Sequence, residues 1–118
     1  MKIQRRKPFR QGDVLFVPVK NIPKGERKIR KDGVVMYGES TGHAHRVMDL
    51  DAAEVYDIDG QGCYIAVSHA GGVWIGHEDH GQGFIHPETG ERIPLPAGYY
   101  RVLRQVEYSP EAIREVTD

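Results

Sequence analysis

The stretch GESTGHAHRV, Gly38 to Val47, places His43 and His45 one residue apart behind a glycine. On an extended strand, residues i and i+2 share a face and lie about 6–7 Å apart. Two imidazoles at that spacing can converge on one ion at roughly 2.0–2.1 Å each. Gly42 permits a tight approach, and Ala44 points to the other face. A second group, GHEDHG, sets His77 and His80 three residues apart between Gly76 and Gly81, directly after the apolar GVWI. The expected metal ligands are therefore His43 and His45 with His77 and/or His80, and the expected cofactor is a divalent transition metal, zinc or iron. Such a metal activates water, and Glu78 is the candidate catalytic proton acceptor. HEDH is one residue shorter than the HExxH of metalloproteases and its context is not helical, so that mechanism is not implied. The plainer alternative is two half-exposed histidines on a polar strand and a solvated turn.

All six histidines fall between His43 and His86. His69, which ends a strand in VSHAGG, and His86, before Pro87, read as structural or exposed. Ser40 and Thr41 sit beside the histidine pair, but EST before Gly42 reads as turn chemistry. Arg46, one residue beyond His45, is expected on the opposite face. Without a metal, paired imidazoles can still divide acid and base roles in phosphodiester chemistry. Tyr99, Tyr100, Tyr108 and Trp74 read as packing residues.

Charge is distributed very unevenly. Residues 1–31 hold eleven Lys/Arg against Asp13 and Glu26, a balance of +9, whereas the other 87 residues hold five Arg and fifteen acids, a balance of −10. This polarity suggests a non-enzymatic alternative, in which Arg5, Arg6, Lys28 and Arg30 contact nucleic acid or an acidic partner. It equally suggests a homo-oligomer assembled through complementary faces.

These residues need a scaffold. At 118 residues with 39% hydrophobic content, the chain is the size of one domain, 1–118. No apolar run is long enough to span a bilayer. The N-terminus has no apolar core of a secretory signal, and the lone Cys63 can form no internal disulfide, so a cytoplasmic protein is expected. Short β-type runs are broken by Gly, Pro, Asn and Asp at intervals of roughly 8–12 residues, the signature of an all-β fold. GDVLFVPVK, HAHRVMDL, AEVYDI, GCYIAVS and GVWIG read as strands, and ERKIRKDGVVMYGE reads as a hairpin around KDG. HPETGERIPLPAGYY is loop-rich, and YYRVLRQVEY is a long last strand. Ser109 as N-cap with Pro110 after it predicts a short C-terminal helix over 109–116. The expected fold is a small antiparallel β-sandwich or barrel with that one helix.

The run from Gly38 to His45, GxxxxHxH, on a β-rich chain with later histidines and an LPAGYY turn, resembles the metal motif of the cupin superfamily. That resemblance implies a β-barrel whose HxH histidines hold a metal, with Asp49 or Asp51 standing where cupins carry a glutamate. The PAG at Pro96 to Gly98 follows all the histidines, whereas the second cupin motif has its histidine after PxG. The combination QGDVLFVPV, GESTGHAHRV, HEDHG and LPAGYYRVLRQVEYSPEAI is similar to small bacterial or phage proteins of unassigned function.

Overall fold

A computed structural model describes residues 7–37, 44–77 and 81–104. In chain order the strands are β1 (Phe9–Gln11), β2 (Val14–Val19), β3 (Arg27–Ile29), β4 (Val34–Tyr37), β5 (Ala44–Val47), β6 (Ala53–Ile58), β7 (Gly62–Val67), β8 (Ile75–His77), β9 (Gly81–Gln82), β10 (Phe84–Ile85), β11 (Arg92–Ile93) and β12 (Gly98–Arg104). They form a six-stranded sheet in the order β1-β2-β12-β7-β6-β3, a four-stranded sheet β4-β5-β8-β9, and the small pair β10-β11. Every pairing is antiparallel. The fold is all-β, as expected, but among the described residues no sheet closes on itself into a barrel. The helix expected over 109–116 lies outside the described residues. Among the described residues no helix is long and apolar enough to cross a membrane.

Alternation sets the inward face of each strand. In β12, Tyr100 and Val102 are buried while Tyr99, Arg101 and Leu103 face outward; in β2, Val14 and Phe16 are fully buried. One core joins these residues to Val55, Ile65 and Val67 of the same sheet, Val35, Val47 and Ile75 of the four-stranded sheet, and Phe84. Each such side chain contributes about 1.5–3 kcal/mol by leaving water. Phe84 meets Phe9 at 5.4 Å and Phe16 at 5.3 Å between ring centroids, tying β1 and β2 to the small pair. On the other side of the six-stranded sheet, Ile22 packs on Tyr56, Ile58 and Tyr64.

The ERKIRKDGVVMYGE run is not a hairpin. Its first half, β3, pairs with β6, and its second half, β4, pairs with β5, so KDG carries the chain from one sheet to another. Arg30 accounts for the crossing. Its Nε and Nη2 donate to the two oxygens of Asp57 at 2.8 and 2.6 Å, and its Nη1 donates to the carbonyls of Val34 and Val35 at 3.1 and 3.0 Å. One guanidinium thus fastens β6 to the start of β4. Arg30→Ala is expected to cost about 2 kcal/mol in denaturant unfolding, mostly from the two carbonyls that lose a charged donor. The Asp57 side chain is 44% exposed, so screening holds the ion-pair share below about 1 kcal/mol. The hydrogen bond from Arg30 holds the Asp57 carboxyl below its usual range. A depressed carboxyl stabilises fully above its unfolded value of about 3.9, and that stability is lost as pH falls through the lower folded value. Asp57→Asn should therefore flatten the decline in stability below about pH 4, read by urea midpoints across pH.

Candidate functional site

The site begins at the β1–β2 hairpin. Gln11 pairs with Val14, leaving Gly12 and Asp13 as a two-residue loop, and Gly12 takes φ 60°, where a side chain is disfavoured. Continuing inward alternation from Phe9 aims Gln11 into the core, where it is 3% exposed. Its Nε2 donates to the carbonyls of Ile75 at 2.8 Å and Gly83 at 2.9 Å. Those two acceptors require the amide nitrogen on their side, so Oε1 faces His45 Nδ1, 2.8 Å away. A carbonyl oxygen only accepts; His45 Nδ1 therefore carries a proton, and the lone pair of the neutral ring sits on Nε2.

His45 is 1% exposed, and with Gln11 it is one of two buried polar side chains among the described residues. Its Nε2 lies 3.8 Å from Asp13 Oδ1, beyond hydrogen-bond reach. Asp13 is itself held by Arg104, whose Nη1 donates to Oδ2 at 2.8 Å while Nη2 donates to the Tyr37 carbonyl at 2.6 Å. Arg104 stands opposite Val14 in the β12–β2 register, which delivers its side chain to the same hairpin.

Two segments distant in sequence bring His45 and His77 together. β5 and β8 pair Val47 with Ile75 and Arg46 with Gly76, and one more step in that register sets His45 opposite His77. The two rings meet with centroids 4.1 Å apart, tilted by 32°. Direct cross-strand neighbours on one face make such contacts. Arg46 is exposed on the opposite face, as its position predicts. Ala44, Arg46, Met48, Gly76, His77 and Gln82 line an open groove of about 360 Å³. Met48 lies across Gly76, where a Cβ would come within 2.5 Å of its sulfur.

Of the four expected metal ligands, His45 and His77 are adjacent; His43 and His80, with Glu78, lie outside the described residues. Among the described residues no three of His, Cys, Asp and Glu form a metal-holding group. His69 and His86 serve their own turns, accepting backbone N–H groups of Gly71 at 3.0 Å and Glu88 at 3.1 Å. Burial pushes the Cys63 thiol up to about 11, so it is held as a thiol and not as a nucleophile. Lys28 is exposed on β3, Arg30 is engaged inside the chain as described above, and Arg5 and Arg6 lie outside the described residues. Sequence reasoning missed Gln11, Asp13 and Arg104. The available signal was an amide at an inward position of FRQGDVLF, where alternation calls for an apolar residue.

No curated protein and no solved structure matches the chain. A family match does exist, and it spans every residue of this site from Gln11 to Arg104. Residues 10–105 match the family described as Domain of unknown function (DUF8820), and the chain belongs to that family.

Proposed function

We propose that this protein binds one divalent transition metal, zinc or iron, at the His45–His77 cluster. His43 and His80, on the segments that flank these two residues, complete the ligand set. The observation that carries this reading is the buried His45, whose Nδ1–H is fixed on Gln11 and whose ring meets that of His77 with centroids 4.1 Å apart. Metal-binding histidines characteristically give their other ring nitrogen to such an acceptor, which fixes tautomer and ring orientation. When bound, the metal would supply Lewis-acid activation of water. Glu78, next in sequence to His77, is the nearest candidate to take a proton in hydrolysis of a small molecule. The scaffold in this reading is a two-sheet sandwich, because both larger sheets contribute side chains to one core. Elemental analysis of untagged, metal-replete protein beside His45→Ala and His77→Ala tests the reading; each variant should lose the metal.

A second reading attaches to the basic N-terminal third, as a surface for nucleic acid. The exposed Lys20, Lys24, Arg27 and Lys28 favour it.

A further inference from the structure

The outward face of the six-stranded sheet carries a cavity of about 490 Å³ between the sheet and the segment that follows β2. Such a volume suits a small organic ligand. Tyr56 and Ala66, both largely covered, form its floor; Arg27 and Tyr99 line it from exposed positions, and Asn21 and Ser68 add polar groups. The Arg27 guanidinium sits 5.4 Å from the centre of the Tyr56 ring, an arrangement that holds its charge at the cavity wall. Tyr99 is 42% exposed, the large apolar side chain the cavity leaves in contact with solvent. Lys20 and Lys24 flank Asn21 and Ile22 on the same segment and are exposed, against the single acid Glu26. In the cross-strand row Val19, Tyr99, Ala66, Glu54, the carboxylate stands on β6, next to β3 and its Arg27, and both charges act on Tyr56. The cavity thus has a rim of basic side chains, Lys20, Lys24 and Arg27, and carries an aromatic face at Tyr99.

We infer that this cavity binds one nucleotide unit of a single-stranded RNA. The base stacks on Tyr99, the phosphate pairs with Arg27, and Lys20 and Lys24 follow the neighbouring phosphates. Stacking on an aromatic side chain beside a basic track is how single strands are held without sequence preference, and an exposed sheet face is a common platform for it. This inference rests on the nucleic-acid reading of the basic segment and is independent of the metal reading.

Fluorescence anisotropy with a short labelled oligouridine tests it, at salt from about 50 to 200 mM. Tyr99→Ala should weaken binding at least about fivefold, the lower end for losing one stacked base. Arg27→Ala should weaken it and reduce the slope of log K against log salt by about 0.7, the value for one phosphate contact on a single strand. Both residues are exposed, so thermal midpoints should stay near that of the unaltered chain. Binding that ignores both substitutions overturns the placement at this cavity while leaving the nucleic-acid reading intact. No binding of oligouridine at the lowest salt overturns that reading as well. Binding of UMP without oligouridine overturns the single-strand assignment.

Discussion

Gln11→Leu is expected to cost about 3 kcal/mol or more in denaturant unfolding. The substitution keeps the side-chain volume but removes one acceptor and two donor hydrogens. Two buried groups then lose this partner together, His45 Nδ1–H and the Gly83 carbonyl, while the Ile75 carbonyl loses one of two donors and keeps the Gly83 N–H. An unpaired buried polar group costs roughly 1–3 kcal/mol, and groups that share a partner do not add fully. The m-value should be unchanged, because the same surface is exposed on unfolding. A surface comparison, Lys28→Ala, should stay within about 0.5 kcal/mol of the unaltered chain. A loss below about 1 kcal/mol for Gln11→Leu would mean that His45 and the Gly83 carbonyl find other partners and that Gln11 does not fix the His45 ring. In the metal reading the same substitution should weaken metal affinity by about 10–100-fold while leaving the ligands in place, the usual effect of losing a residue that orients a ligand.

Gly83→Ala is the second large effect, and it acts on the same network from the backbone side. Gly83 sits at φ +72°, where an L side chain is strained by about 1–2 kcal/mol. A Cβ there would lie 2.4 Å from the Ile93 carbonyl oxygen and 2.5 Å from the Trp74 ring. The carbonyl belongs to the backbone of β11, opposite β10, and cannot yield cheaply. Gly83 also donates its N–H to the Ile75 carbonyl at 2.7 Å, and its own carbonyl receives Gln11, so a shift here disturbs the support of His45. The total is expected at about 3 kcal/mol or more. Gly60→Ala separates the two causes. Gly60 has nearly the same φ, +71°, with nothing within 4 Å of its would-be Cβ, so it should show the backbone penalty alone. The chain has a single tryptophan, so displacement of Trp74 should shift the fluorescence maximum of the Gly83 variant and not that of the Gly60 variant. Equal losses in the two would contradict the packing account.

The strand periods in VLFVPV, AEVYDI and GCYIAV were legible because alternation and turn residues act locally. The pairing of β3 with β6 was not. KDG offers good turn chemistry, but Arg30 binds Asp57, 27 residues away, and that long-range interaction outweighs the local hairpin preference. β1 escaped notice because its three residues lie in a run whose charges dominate its composition. At the site, the residue types of His45 and His77 were legible, and the i, i+2 rule correctly put Arg46 on the far face. Their adjacency was not legible, since it depends on the β5–β8 register. Asp13 and Arg104 were invisible for a similar reason: a surface carboxylate and a strand-end arginine become part of a site only when β12 pairs with β2.

The most direct measurement is the metal content of the untagged protein, purified from metal-replete growth, beside His45→Ala and His77→Ala. The account predicts about one equivalent of zinc or iron per chain, lost in both variants even where circular dichroism shows the β-rich fold retained. Protein that is folded and monodisperse but carries no stoichiometric metal would contradict it, and would leave His45 and Gln11 as a buried polar clasp between the hairpin and the four-stranded sheet.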